Sequence, residues 1–536
     1  MKINARFSSL SFLFALIIFH FPLIAQITVT VYGGAGEVSG SMTVVDFKDT
    51  RIMIDCGAYY PDGEGTYEER QGEADRRNLE MPVDAASVDA LILTHAHLDH
   101  TGRVPLLWKK GYKGPVYCTP GTQRISDVML IMQLRYSAEP RNWRYSKASI
   151  KKGFGGGKYV TAHWTNCRWA SNISQENLVS YYGSLKEAEE EADLDFSPCH
   201  RCASDQYYYI RQLYKPSVYG KDITVATGVW FRYLDAGHIP ASASVLLKIL
   251  RSPGDTLKLL FSGDIGNDLS PLIYGPKTAP KADAVFIEST YGGITRDPGV
   301  KDDLTRFPRE VAGIVKAGGV AWIPAFALDR TQKILFAIKE GMDNGIIPRD
   351  VPIFCPSPSA GDISNLYLEE HRTGAQRWFR DEIYKEVTLF PAYDSILPYD
   401  KLPRPCILIT TSGMMDEAFS KLMLDKLLPD PSTGVFQVGY QDPGSPGGQL
   451  KQQTGTIIWE DKVIPVAAKV FNYKAFSAHG DFNDIMSFLK NQDKIRVKIY
   501  LVHGDHKALD SQKQKLILQG FQSVIEAKKS QMLIFN

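Results

Sequence analysis

The sequence predicts an α/β protein built from more than one domain, and three observations carry that reading. The chain of 536 residues exceeds what one ordinary domain holds. Its first half is rich in short β-branched runs separated by glycine turns. From about Tyr291 onward helix and strand patterns alternate, which is the signature of a parallel sheet. An apolar fraction of 44% and a charged fraction of 23% are ordinary for a globular chain and exclude disorder, collagen and coiled coil as whole-chain descriptions. With 61 Lys and Arg against 60 Asp and Glu the net charge is +1, so any polyanion must be held by a local patch. Seven cysteines in this length do not make a disulfide scaffold.

Taken in order, residues 1–25 have a basic start (Lys2, Arg6) and an apolar run ending at Leu23-Ile24-Ala25, the layout of a signal peptide. A retained anchor is the rival reading, although His20 and Pro22 interrupt the run. Cleavage would leave 59 basic residues against 60 acidic ones. It would also imply export, periplasmic or extracellular; otherwise the chain belongs in the cytoplasm. Ile27–Tyr32, Met42–Phe47, Arg51–Asp55, Ala90–Thr94 and Pro115–Cys118 read as strands, and Thr101–Lys110 and Gln123–Tyr136 as helices. An irregular insert from 141 to about 219 contains the acidic run Lys186–Asp195, expected to be a solvated helix. Strand patterns resume at Ile223–Thr227, Val229–Asp235, Ser244–Leu250, Leu257–Ser262 and Ala284–Glu288. The alternating part then runs from Pro308–Ala317 to Cys406–Thr410. A final strand–helix–strand pattern follows at Val470–Phe476, Phe482–Asn491 and Lys498–His503.

The chemistry concentrates in Leu91-Ile-Leu-Thr-His95-Ala-His97-Leu-Asp99-His100. On an extended chain His95 and His97 point the same way, while Asp99 and His100 are expected in the loop beyond the strand. Imidazole and carboxylate together suit zinc and similar divalent ions, and this spacing can supply parts of two half-shells. Further ligands should stand at other strand ends. His238, in Asp235-Ala-Gly-His238, and Asp264, in Ser262-Gly-Asp264, both follow apolar strands beside a glycine, which would let the backbone approach a metal. In the insert, His163, Cys167, Cys199 and Cys202 have the make-up of a zinc knuckle, of a disulfide pair, or of neither. Gly153–Lys158 (GFGGGK) lacks the spacing of a P-loop and reads as a loop.

This set, with Asp55, resembles the metallo-β-lactamase fold hydrolases. Phe286-Ile-Glu288-Ser-Thr-Tyr, Ala475-Phe-Ser-Ala-His479-Gly-Asp481 and Leu501-Val-His503-Gly-Asp505 resemble the three motifs of the β-CASP branch, as do Thr411–Met415 and Val438–Gln441. That branch includes ribonuclease J and the endonuclease that cleaves messenger-RNA precursors at their 3′ ends. The resemblance implies an αββα metallo-β-lactamase sandwich split by an inserted α/β β-CASP cap. The sandwich would span 26–293 and 471–536 and the cap 294–470, with 1–25 as the signal peptide.

It implies two zinc ions, or manganese, per active site. One would be held by His95, His97 and His238, the other by Asp99, His100 and His503, with Asp264 between them. It also implies His479 as general acid, Glu288 as the carboxylate that orients it, Asp55 as a residue orienting ligands or nucleophile, and Ser412, Gly413 and Ser477 as phosphate donors. The activity implied is a ribonuclease using a hydroxide activated by two zinc ions, with RNA or single-stranded nucleic acid as substrate and a homodimer as one assembly. Two rivals stand beside it. An exported metallo-hydrolase could act on DNA or another phosphodiester, and a catalytically dead homologue could bind nucleic acid or a partner.

Overall fold

The computed structural model describes residues 26–61, 63, 65–136, 145–152, 158–164, 177–178, 207–395 and 402–535, those between 135 and 206 by their backbone. The proposed signal peptide, the acidic run 186–195 and the side chains of His163, Cys167, Cys199 and Cys202 lie outside the described residues. The described cysteines, Cys56, Cys118, Cys355 and Cys406, are free and buried.

Two seven-stranded sheets form a sandwich. The first runs Met532–Phe535, Ile27–Gly33, Met42–Phe47, Thr50–Ile54, Ala90–Ile92, Val116–Cys118, Tyr214–Pro216. The second runs Asp222–Ala226, Val229–Asp235, Ala243–Ser252, Asp255–Phe261, Ala284–Glu288, Lys498–Val502, Ser523–Glu526. Alternation explains the pairing of the faces. Ile27, Val29 and Val31 of the first sheet and Phe231, Tyr233, Val245 and Leu247 of the second share one buried cluster. Phe261, Phe286 and Tyr500 stack across three neighbouring strands at 4.8 and 4.9 Å.

The second sheet is where the chain departs and returns. Ala284–Glu288 pairs in parallel with Lys498–Val502, Phe286 opposite Tyr500 and Glu288 opposite Val502, although some 200 residues separate them in sequence. What lies between is a five-stranded sheet in the order Ile353–Phe354, Cys406–Thr410, Val320–Pro324, Gly434–Gln437, Lys469–Asn472. Its neighbouring pairs are all parallel. Val320–Pro324 and Cys406–Thr410 are buried throughout, as strands covered on both faces must be. Asp302–Lys316, Arg330–Asp343 and Pro358–Thr373 share a buried cluster with Ile323 and Ile409, and Ala418–Leu427 shares another with Trp322 and Leu408. The fold is thus a metallo-β-lactamase sandwich interrupted by an α/β cap.

Several boundaries differ from expectation. The helix expected over 101–110 is two helices, Leu98–Thr101 and Val104–Lys109; the second carries Pro105 in its first turn, which lacks the N–H needed to continue the first. Asp99 and His100 therefore sit on a helical turn and not in a loop. The position 470 falls inside the cap strand Lys469–Asn472. The end of the expected insert carries Tyr214–Pro216, an edge strand of the first sheet.

Candidate metal centre

Strand ends deliver the site. Ala90–Ile92 lies inside the first sheet, between Thr50–Ile54 and Val116–Cys118, and the chain leaves it through buried Leu93, Thr94 and His95. Asp55 follows the adjacent strand in a left-handed conformation, φ 58°, that turns its carboxylate inward. That carboxylate accepts the Thr94 N–H at 2.8 Å and the Thr94 hydroxyl at 2.8 Å, and it stands 2.7 Å from His100 Nδ1. With its proton given to Asp55, the Thr94 oxygen accepts from His95 Nδ1 at 3.1 Å. Both rings are thereby held with Nδ1 protonated and Nε2 facing the centre.

The other groups come from the second sheet. His238 follows Val229–Asp235, Asp264 follows Asp255–Phe261, and His503 follows Lys498–Val502. All three are buried. The glycines beside two of them leave room for neighbouring atoms. A Cβ on Gly237 would stand 2.4 Å from the carbonyl carbon of Gly275, and one on Gly263 would stand 2.8 Å from Thr94 Cβ.

Two quartets result, His95–His97–His238–Asp264 and Asp99–His100–Asp264–His503. Within each, one ligand atom per residue lies within 4.8 Å of the others. His97 Nδ1 is 3.1 Å from His95 Nε2 and 3.2 Å from His238 Nε2, and His100 Nε2 is 3.2 Å from His503 Nε2. Asp264 lies 3.1 Å from His100, 3.4 Å from His238, 3.5 Å from His95 and 3.6 Å from His503. Yet neither of its oxygens, both buried, has a directed hydrogen bond. A buried carboxylate in that state is costly unless a cation neutralises it, and nitrogen lone pairs this close need a shared electrophile. The donor set therefore fits two divalent cations sharing Asp264.

The electrostatics divide the centre. Burial pushes His95, His97 and His238 below the usual imidazole range, so they are neutral and ready to ligate. Burial acts the same way on His100 and His503. Asp264 overrides it in both cases, with Asp55 and Asp99 adding at His100 and a hydrogen bond to Asp99 adding at His503, and both imidazoles are held above that range. Asp264 would be raised by burial, but His503, His100 and His95 hold it well below the carboxylate range.

Beside this centre, Glu288 closes its strand at 1% exposure. Its Oε1 accepts from the Ile265 N–H at 2.8 Å and lies 3.2 Å from His479 Nδ1; its Oε2 accepts from the Thr290 N–H at 3.1 Å. The His479 ring is 4.6 Å from that of His238. Of the weaker candidates, only Ser412 has a side-chain donor in the contacts that follow; those of Gly413 and Ser477 use their carbonyls. The Ser412 hydroxyl donates to Asp416, the Gly413 carbonyl accepts from Gln441 at 2.9 Å, and the Ser477 carbonyl accepts from Asn267 at 3.0 Å. Sequence reasoning did not single out Thr94, Thr290, Asn267 or Arg296. Thr94 sits inside the histidine motif and Thr290 inside Glu288-Ser-Thr-Tyr, so both had a positional signal. Asn267 and Arg296, which both donate to the His479 carbonyl, had none.

Comparison with known proteins agrees with this architecture. Residues 35–156 match the metallo-beta-lactamase superfamily, 331–450 the Beta-Casp domain, and 463–527 the Zn-dependent metallo-hydrolase RNA specificity domain. Ribonuclease TTHA0252 of Thermus thermophilus is 26% identical over 500 residues, covering 91% of this chain and 96% of that one. Transcription termination factor FttA of Methanosarcina mazei is 27% identical over 508 residues, covering 90% and 67%. Cleavage and polyadenylation specificity factor subunit 3 of Dictyostelium discoideum is 24% identical over 501 residues, covering 91% and 54%. Three matched segments in this order, around a centre fit for divalent cations, mean that the chain belongs to the β-CASP branch of the metallo-β-lactamase fold and is a metal-dependent hydrolase.

Proposed function

We propose that the chain hydrolyses RNA phosphodiester bonds at a centre of two divalent cations, zinc in the first instance with manganese as the alternative. The observation that carries this is the pair of quartets sharing Asp264 next to the His479–Glu288 dyad. His95, His97 and His238 would hold one cation and Asp99, His100 and His503 the other. When bound, such a pair supplies Lewis acidity toward phosphate oxygens and a water deprotonated near neutral pH. The residues do the rest. Glu288 accepts from His479 Nδ1, which leaves Nε2 to carry the proton that the leaving oxygen takes as its bond to phosphorus breaks. Asp55 and Thr94 keep His100 and His95 in the tautomer that offers Nε2 inward.

RNA is favoured as substrate by the match at 463–527 and by relatives named as ribonucleases. Export belongs to the proposal through residues 1–25, and a homodimer is its simplest assembly. Metal analysis, digestion of end-labelled RNA and DNA with and without chelator, and fractionation of the expressing cell test it. Chelator-sensitive cleavage of RNA in preference to DNA is expected. A folded protein that binds no divalent metal and cuts neither polymer overturns it, and preferential cleavage of DNA would give the reaction to the rival substrate.

A further inference from the structure

We propose that the Thr290 hydroxyl is a positioning group that sets the tautomer of His503 and thereby the affinity of the Asp99–His100–His503 half of the centre for its cation. The inference rests on the metal-centre reading given above and goes beyond its ligands.

The geometry is specific. Thr290 Oγ1 lies 3.0 Å from His503 Nδ1 and 3.4 Å from the His503 carbonyl oxygen. A hydroxyl has one proton and two lone pairs. Donating to the carbonyl leaves a lone pair to accept from Nδ1–H. The proton of the neutral ring is then on Nδ1, and Nε2 presents its lone pair where Asp99 Oδ2 stands at 3.3 Å and His100 Nε2 at 3.2 Å. Without that oxygen the preference reverses. The Nδ1–H would face only Asp264 Oδ1 at 3.6 Å, beyond hydrogen-bond range, whereas an Nε2–H could donate to Asp99 at 3.3 Å. The proton would then occupy the position a cation needs.

The placement of Thr290 is fixed by the strands around it. The Ser289 N–H donates to the His503 carbonyl at 3.1 Å, continuing the Ala284–Glu288 pairing past its last register pair. His503 itself is in the left-handed region, φ 53°, and its N–H is held by the Gly34 carbonyl at 2.6 Å, so the main chain that carries the ring is fixed. The N–H of Thr290 meanwhile holds Glu288 Oε2. One residue thus touches both the metal half-shell, through its side chain, and the His479–Glu288 dyad, through its backbone. Thr290→Val keeps the β-branched shape and the backbone N–H and removes only the oxygen, so it separates the two contacts.

The test is a zinc titration of the metal-free full chain under chelator competition. Wild type should take two equivalents. Thr290→Val should keep one at wild-type affinity and lose about 10–100-fold in the other, the usual cost of removing a group that orients a ligating imidazole. Thr290→Ser, which retains the hydroxyl, should match wild type. In a His503→Ala background Thr290→Val should have no further effect, because the partner through which it acts is gone. Two undiminished equivalents in Thr290→Val would overturn the inference, as would weakening in Thr290→Ser equal to that in Thr290→Val. A further loss in the double variant would do the same. Failure of wild type itself to bind zinc or manganese would remove the metal-centre reading as well, which keeps the two failures apart. Thermal melts of the metal-free variants verify that each is folded.

Discussion

Asp264 concentrates the logic of the site in one residue. It is 1% exposed, it lies within 4 Å of five imidazoles, and no directed hydrogen bond satisfies it. Its charge holds His100 and His503 above the usual imidazole range, which favours their protonated forms as long as no cation is bound. A cation must displace those protons, so raising the pH favours binding. Metal uptake near pH 7 is therefore expected to release protons and to tighten as pH rises. Calorimetry in two buffers of different ionisation enthalpy measures this, and heats that do not differ between the buffers would contradict it. His479 is a different case, since it is half-buried and Glu288 stands at hydrogen-bond distance from its Nδ1. His479→Ala should lower the turnover number on RNA by about 10²–10⁴-fold while two equivalents of metal remain bound. Loss of metal together with activity would make it a ligand instead.

At the scale of elements, the acid side chain depends on a loop and not on a strand. His479 lies between the cap strand Lys469–Asn472 and the helix Phe482–Phe488. Asn267, buried beyond the end of another strand, donates to three successive carbonyls there, Ser477 at 3.0 Å, Ala478 at 3.1 Å and His479 at 2.8 Å. Arg296 donates to the last of these and pairs with Asp484 at 3.6 Å. Asn267→Ala should cost about 1–3 kcal/mol in denaturant unfolding, because buried carbonyls lose their partner. It should also reduce turnover more than it raises KM, since the ring it places acts in the transition state. An unchanged turnover number would show that Arg296 alone suffices to hold the loop.

The whole molecule is joined in two unlike ways. One apolar cluster runs from Met42, Leu91 and Ile125 of the sandwich through Trp378 and Phe379 to Ile323 and Phe436 of the cap. On the flank formed by the helix Tyr67–Asn78 the join is polar. Arg70 pairs with both oxygens of Asp442 at 2.6 and 2.7 Å, and the Tyr67 hydroxyl donates to Asp416 at 2.5 Å. Both partners of the Arg70 pair are nearly buried, and the arginine, with hydrogen bonds from Gly444 and Ser445, holds Asp442 below the carboxylate range against the effect of burial. Arg70→Ala should destabilise the fold by about 2–3 kcal/mol. That is below the usual cost of breaking a buried pair, about 3–5 kcal/mol, because the Gly444 N–H still holds Asp442. Removing both charges together should cost less than the sum of the two single changes. Additive costs would mean that the pair carries no coupling across the seam.

The sequence by itself determined the ligand types, their association with strand ends, and the change of character that separates sandwich from cap. These are local properties: His95, His97, Asp99 and His100 fall within six positions, and strand and helix periods are written in neighbouring residues. It did not determine that Asp99 and His100 ride on a helical turn. That follows from Pro105 and from the backbone pairing of this segment with Cys56 and Ala58. Nor did it single out Thr94, Thr290 and Asn267, because a threonine or asparagine is ordinary in any loop until its neighbours are known. Bringing His503 within 3.2 Å of His100 across 403 positions belongs to tertiary structure alone. It depends on Lys498–Val502 pairing with Ala284–Glu288, a register chosen by the buried stack of Phe286 and Tyr500 and by nothing in either segment on its own.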